Sequence, residues 1–171
     1  MMNGKTERNA KNVALAGIMT ALLTTGKMVL SFIPNVEIVS FMILVFCVYF
    51  GKKTFISVAA FVVIEGLLYG FNIYWFGYVY IWPLLCVLGL IIRKRASLFS
   101  LTMLTTLFGL FYGFLFSFVY IFAGSTNPSI GFALTWWMSG IPYDLIHGAG
   151  NFAVMMCLYA PVSKVMKHVA Y

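Results

Sequence analysis

The hydrophobic positions of the chain fall into six apolar runs that are separated by short polar connections. The runs cover roughly residues 12–33, 38–50, 54–69, 77–92, 98–123 and 131–161. A helix that crosses a bilayer needs about 20 mostly apolar residues. The pattern therefore predicts an all-α membrane protein with six transmembrane helices, of which the second and fourth are short and the last is long enough to contain a break.

The composition agrees with membrane insertion. Hydrophobic residues make up 63% of the 171 residues, charged residues make up 9%, and the mean hydropathy is +0.99. Soluble domains are about half apolar and about one quarter charged. No stretch remains that would fold as a separate soluble unit, so we expect a single membrane domain over residues 1–171.

Basic residues occur in alternate connections and predict the orientation. Lys and Arg precede the first run, follow the second and fourth, and end the chain, whereas the connections IPNVE, GFNIYWFGY and GSTNPSIG contain neither. The positive-inside rule then places both termini in the cytoplasm and these three loops outside. The net charge of +7 is divided among small clusters, so it does not indicate nucleic-acid binding, which needs a basic face on a soluble domain.

A polar motif lies within the last run, in the sequence TWWMSGIPYDLIHGAGNF of residues 135–152. Pro142 suits the first turn of a helix, and on a helix that follows it Asp144, His147 and Asn151 fall on one face. Three aromatic residues are expected just above this face: Trp136, Trp137 and Tyr143. A polar face under aromatic side chains is typical of a small-molecule pocket. The alternative is that Asp144 and His147 only bond to each other or to a neighbouring helix.

Charged residues elsewhere in the apolar runs are further candidates for function. A charge at the centre of a span costs about 2.5 to 3.5 kcal/mol, so it is rarely placed there without a role. These residues are Lys27 and Glu65, with Glu37 at the outer edge of the first two runs. We expect them to face the same outward side as Asp144, and a structural ion pair between Lys27 and Glu65 is the alternative.

Small residues recur at helical spacing at the start of the first run: Ala10, Ala14, Gly17 and Ala21. Such a stripe allows another helix to approach closely. Ordinary packing within the chain explains the spacing equally well. The Gly109-x-x-x-Gly113 motif of the fifth run favours this packing interpretation more strongly.

Sequence motifs for ATP hydrolysis and hydrolytic chemistry are missing. The chain contains no GxxxxGK[ST], HExxH or GxSxG motif. Its three cysteines lie singly in apolar runs, which supports neither a zinc site nor a disulfide framework. We therefore expect no metal, no cofactor and no enzymatic activity, and ATP-driven transport would require another subunit.

The chain resembles the substrate-binding S components of energy-coupling factor (ECF) vitamin transporters over essentially its whole length. The resemblance rests on GKMVLSFIPNVE after the first run, on GIPYDLIHGAGNF in the last, and on the small residues around Gly17. It implies a six-helix bundle in a prokaryotic plasma membrane that captures a vitamin outside the cell. It also implies docking on a transmembrane coupling subunit with two ATPase subunits. The family docks through Ala-x-x-x-Ala, and the matching register here reads Gly17-x-x-x-Ala21, with Ala10-x-x-x-Ala14 before it.

The resemblance also assigns roles within the pocket. Asp144, His147 and Asn151 would hydrogen-bond the ligand, and Trp136 and Tyr143 would form its walls or lid. Asn35 and Glu37 would belong to the first outer loop. The two motifs are most similar to the group assigned to cobalamin and related corrinoids, while a queuosine precursor or another vitamin stays open.

Two other functions remain as alternatives. In an autonomous secondary transporter or channel, Glu65, Asp144 and His147 would form a proton relay. In a small intramembrane enzyme, Asp144 and His147 would act as an acid–base pair. The enzyme hypothesis lacks an identifiable nucleophile, metal set or cofactor motif in the sequence.

Overall fold

The computed structural model describes residues 4–123 and 129–170, and this part of the chain forms helices and no strands. The helices are α1 (Gly4–Leu30), α2 (Val39–Phe50), α3 (Lys53–Tyr69), α4 (Ile73–Ile92), α5 (Leu98–Leu110), α6 (Tyr112–Ala123) and α7 (Ile130–Ala170). A short 3-10 turn, Arg93–Arg95, follows α4. Helices α5 and α6 are two halves of one apolar segment, which was predicted as a single span and is interrupted at Phe111.

Four helical segments in the described ranges are long and apolar enough to cross a membrane: Thr6–Leu30, Ile73–Arg95, Leu98–Ile121 and Ile130–Val169. Helix α2 is apolar but has 12 residues, and α3 has 17 residues. The all-helical class is therefore confirmed, together with four candidate spans. Two further crossings and the orientation of the termini stay predictions.

Helix α2 lies at the centre of the bundle. Every residue from Val39 to Cys47 except Met42 is buried, and the helix contacts α1, α3, α4, α5 and α7. Large apolar side chains from α2, α3 and α4, among them Phe41, Phe61 and Leu85, form the core around it. Since protein covers α2 on most sides, its length need not match the hydrocarbon thickness of a bilayer.

Local residues explain where several helices begin and turn. The Asn72 side-chain oxygen accepts hydrogen bonds from two backbone N–H groups in the first turn of α4, which caps that helix. Gly51 has a φ of 61° in the turn between α2 and α3, a conformation that glycine adopts without strain. The Arg93 guanidinium lies where a Gly51 side chain would be. The two connections that contain Gly51 and Arg93 therefore pack against each other.

Helix α7 is continuous from Ile130 to Ala170, although Pro142 and Pro161 lie within it. The suggested break is not present in the described helix, and Pro142 lies in its interior rather than in a first turn. A proline removes one backbone donor, and in an apolar bundle neighbouring groups can satisfy the carbonyl that is left free. Because the helix is unbroken, Asp144 and Asn151 both reach the α5–α6 segment.

Helices α5 and α7 approach most closely at two glycines. A Cβ atom on Gly109 would lie 2.9 Å from backbone atoms of His147 and Gly148, and one on Gly148 would meet the Leu110 side chain. The packing interpretation of Gly109 is therefore correct. The close crossing also sets the separation between α7 and the first turn of α6, where the candidate site begins.

Candidate functional site

A cavity of about 430 Å³ lies between α4, α6, α7 and the connection after α1. We call it the aromatic cavity. Its lining residues are Asn35, Tyr74, Tyr78, Tyr112, Gly113, Phe116, Trp136, Ser139, Gly140, Tyr143 and Asp144. Its volume is within the range of small-molecule sites, about 300 to 1,000 Å³. Four of the residues proposed from the sequence line it: Asn35, Trp136, Tyr143 and Asp144.

Asp144 is the acidic group of the aromatic cavity. Its Oδ1 accepts a hydrogen bond of 2.8 Å from the backbone N–H of Gly113, and its Oδ2 accepts one of 3.2 Å from the Trp137 indole. Gly113 lies in the first turn of α6, where an anion is favoured by the helix dipole. A Cβ atom on Gly113 would lie 2.6 Å from the carboxylate, so this glycine permits the contact. Each carboxylate oxygen retains a further lone pair for a ligand.

The walls of the cavity are aromatic side chains that contact one another. Trp136 stacks on Tyr120 with ring centroids 4.2 Å apart, and its ring lies 5.7 Å from that of Phe116. Tyr112 stacks on Phe116 at 6.2 Å. Tyr143 is exposed at the edge of the cavity, in agreement with a position in the wall or lid.

Several lining residues were not identified as site residues from the sequence. Tyr74 and Tyr78 are four residues apart on α4, and Tyr112 and Phe116 are four apart on α6, so each pair shares a face. That spacing was the available signal. In a chain with 18% aromatic residues, it does not distinguish a pocket wall from core packing or from an interfacial belt.

Glu37 and His147 form a pair behind the cavity. Glu37 Oε1 accepts a hydrogen bond from His147 Nε2 at 3.2 Å, and its Oε2 accepts one from the backbone N–H of Ser40 at 2.8 Å. Burial alone would raise the pKa of the Glu37 carboxyl, but the interactions with His147 and Ser40 outweigh it and lower this pKa below its ordinary value. The pair thereby attaches the Asn35-containing connection to α7.

Asn151 is the third polar residue of the α7 face and lies deeper in the bundle. It is buried, and its Nδ2 donates to the backbone oxygen of Thr105 on α5 at 3.2 Å. Neither Asn151 nor His147 lines the aromatic cavity. Of this face, only Asp144 reaches the cavity in this structure, and direct ligand contact by the other two stays a prediction.

Lys27 and Glu65 pair with each other in a second, smaller cavity. The Lys27 ammonium contacts the Glu65 carboxylate and lies 4.9 and 4.6 Å from the ring centroids of Tyr69 and Tyr78. This cavity has a volume of about 210 Å³, and it shares Tyr74 and Tyr78 with the aromatic cavity. Lys27 and Glu65 thus line one cavity and Asp144 lines the adjoining one, whereas Glu37 lines neither.

The small-residue stripe of α1 is on the surface of the described bundle. Ala10, Ala14, Gly17 and Ala21 are all exposed. Gly17 and Ala21 line a shallow groove of about 480 Å³ beside Ile56 and Ala60 of α3. A Cβ atom at Gly17 would have nothing within 4 Å. Tight packing within the chain is therefore not the reason for glycine at this position.

No protein-family model, curated protein or solved structure matches this chain. Within residues 4–123 and 129–170, no group of three His, Cys, Asp or Glu residues is arranged to hold a metal ion. The basis for a function is therefore the geometry of the two cavities together with the sequence motifs.

Proposed function

We propose that this protein is the substrate-binding S component of an ECF-type ABC transporter. The observation that carries the proposal is the aromatic cavity of about 430 Å³, which contains Asp144 and is bounded by the connection after α1. This connection carries the IPNVE sequence, and α7 carries GIPYDLIHG. The two sequence motifs that resemble the family therefore meet at one cavity.

The orientation that follows from the proposal places this cavity toward the outside of a prokaryotic plasma membrane. The connections before α2, before α4 and before α7 lack basic residues, whereas the other connections and both ends are basic. Six crossings with both termini in the cytoplasm satisfy this distribution. In that arrangement α2 and α3 cross along with the four longer helical segments.

Energy would come from partner subunits. The chain has no phosphate-binding loop, so the proposal includes a transmembrane coupling subunit and two ATPase subunits. The exposed Ala10, Ala14, Gly17 and Ala21 stripe supports docking, because small residues allow a partner helix to approach the backbone closely.

The size of the cavity bears on the substrate. A volume of about 430 Å³ suits a drug-sized molecule. A corrinoid is much larger than that, so the volume favours a smaller vitamin or related micronutrient over cobalamin. The proposal is therefore a capture subunit for a small, partly aromatic compound.

Calorimetric titration of the purified chain in nanodiscs with a panel of vitamins tests the proposal. We expect one compound to bind tightly with one-to-one stoichiometry in the absence of any partner subunit. His147→Ala should weaken that binding by releasing the Asn35-containing connection, and Asp144→Asn should weaken it by changing the cavity wall. Absence of binding across the panel by a folded chain contradicts the capture function.

The contacts do not favour the alternative functions. A proton relay through Glu65, Asp144 and His147 needs hydrogen bonds that connect these three residues. Glu65 bonds instead to Lys27, and His147 bonds to Glu37. Asp144 bonds to Gly113 and Trp137. Asp144 and His147 are likewise bonded to different partners, which gives no support to the acid–base pair of the enzyme hypothesis. Uptake that persists in cells without the coupling and ATPase subunits would favour an autonomous carrier.

A further inference from the structure

The charge of the aromatic cavity is one-sided. Asp144 lines it, and none of its described lining residues is a lysine or an arginine. Residues 124–128 read GSTNP and contain no charged side chain. The ammonium of Lys27 belongs to the adjoining cavity, where Glu65 neutralises it. The groups that face a ligand in the aromatic cavity therefore carry net negative charge.

The aromatic rings add to this preference. The face of an aromatic ring carries partial negative charge and attracts cations, most strongly where water is excluded. Tyr78, Tyr112, Phe116 and Trp136 line the same cavity as the Asp144 carboxylate. A cation there gains a carboxylate and contact with aromatic rings, whereas an anion would lose its hydration without gaining a basic partner.

We propose that the substrate of the aromatic cavity is an organic cation, with its charge on or beside an aromatic ring, such as a quaternised nitrogen heterocycle. The inference rests on the proposed capture function and names the substrate class of that site. The charge lies against Asp144, and the ring contacts the aromatic walls. Asn35 and Ser139 provide hydrogen-bonding groups at the same cavity.

Three compounds with nearly the same ring size and different charge provide the test. They are 1-methylnicotinamide, a cation, nicotinamide, which is neutral, and nicotinate, an anion. The purified full chain in nanodiscs is titrated with each at pH 7.5 by calorimetry. We expect the cation to bind at least about tenfold more tightly than nicotinamide, since a cation–π contact and a carboxylate partner together exceed the 1.4 kcal/mol that a tenfold change requires. We expect no detectable binding of nicotinate.

Substitutions of opposite sign identify the charge responsible. Asp144→Asn should reduce the preference for the cation to within about twofold of nicotinamide, because the neutral amide no longer attracts it. This variant also disturbs the bonds from Gly113 and Trp137, so Ser139→Asp is the second probe. Ser139 is exposed, and among the described residues its hydroxyl bonds only to the Trp136 carbonyl oxygen one helix turn earlier. Ser139→Asp adds a carboxylate at the cavity and should tighten cation binding by several fold.

Glu7→Gln is the matched control, because it removes one carboxylate from the exposed start of α1 and should change none of the three affinities. Three outcomes would overturn the inference. Nicotinate could bind as tightly as the cation, none of the three compounds could bind, or the selectivity could be unchanged in both cavity variants. Cation-selective binding by a chain that fails to assemble with coupling and ATPase subunits supports the inference and contradicts the proposed transport function.

Discussion

At the scale of single residues, Lys27 and Glu65 form an ion pair that is largely withdrawn from solvent. The Glu65 side chain is 1% exposed and that of Lys27 is 24% exposed. The ammonium lies over Tyr69 and Tyr78, and Glu65 Oε1 has no hydrogen-bond partner among the described residues. Each of these charges therefore depends on the other, because neither has a second ionic partner there.

Removal of one member of this pair should be more harmful than removal of both. Lys27→Met leaves the buried Glu65 charge uncompensated and should lower the free energy of unfolding by about 3 to 5 kcal/mol. Glu65→Met leaves the partly exposed Lys27 charge without its partner and should cost less. The double variant replaces both partners by apolar groups and should recover most of that loss. Thermal unfolding of the four proteins in the same detergent completes the cycle. If the loss of stability in the double variant equals the sum of the losses in the two single variants, the pair does not act as a unit.

The sequence identified Asp144, Glu37 and His147 as polar residues in an apolar chain, but it did not identify their partners. Asp144 bonds to Gly113, which is 31 residues away, and His147 bonds to Glu37, which is 110 residues away. Such pairs depend on which helices are neighbours and how they are rotated. Hydropathy and helical spacing contain neither piece of information, so Asp144–Gly113 and Glu37–His147 were not predicted.

At the scale of helices, α1 has an exposed face of small residues that the bundle does not use. Gly17→Leu should leave substrate affinity unchanged, because Gly17 is exposed, a Cβ atom there has nothing within 4 Å among the described residues, and it lines neither of the two polar cavities. It should block assembly, because the larger side chain keeps a partner helix away from the backbone. Co-purification with the coupling and ATPase subunits measures assembly, and titration measures binding.

Gly17→Ala is the matched control for this experiment and should preserve assembly, since alanine occupies the corresponding positions Ala10, Ala14 and Ala21. Normal assembly of the Gly17→Leu variant would exclude this stripe as the docking surface. Loss of substrate binding in that variant would instead show that the substitution disturbs the bundle.

The α5–α7 crossing is the element contact that fixes the cavity. Gly109→Ala should lower the free energy of unfolding by about 1 to 3 kcal/mol, because the added methyl meets backbone atoms that have no free rotamer to yield. Gly17→Ala adds the same methyl in open space and should change stability by less than about 1 kcal/mol. The midpoints of thermal unfolding compare the two variants. Equal midpoints would contradict a tight crossing.

The interruption between α5 and α6 illustrates the limit of sequence-based prediction for helices. Residues 98–123 contain no charged residue, and neither glycine nor proline occupies position 111, where α5 ends. The sequence therefore predicted one span, and Leu98–Ile121 is one candidate span, but the interruption within it was not predicted. The N–H of Gly113 bonds to Asp144 of another helix, so the tertiary contact at this junction is not encoded in the local pattern.

At the scale of the whole molecule, the path of α2 and α3 decides the number of crossings. Helix α2 has 12 residues, which span about 18 Å at 1.5 Å per residue, and the hydrocarbon core is about 30 Å thick. Its burial by five other helices allows a short helix to cross inside protein. The hydrophobic runs predicted all six segments, but length alone supports four.

The position of Lys53, the first residue of α3, distinguishes six crossings from four. Cys157, the exposed native cysteine, is first replaced by serine. Single cysteines are then introduced in this background by Phe32→Cys, Lys53→Cys and Lys94→Cys. Intact cells that carry each variant are treated with a membrane-impermeant maleimide. Six crossings predict labelling of the Phe32→Cys variant alone, because the basic connections lie inside. If α2 and α3 turn back without crossing, the Lys53→Cys variant is labelled as well. The Lys94→Cys variant should stay unlabelled in both cases, so it controls for the integrity of the cells. Labelling of this variant after permeabilisation verifies that the introduced cysteine can react.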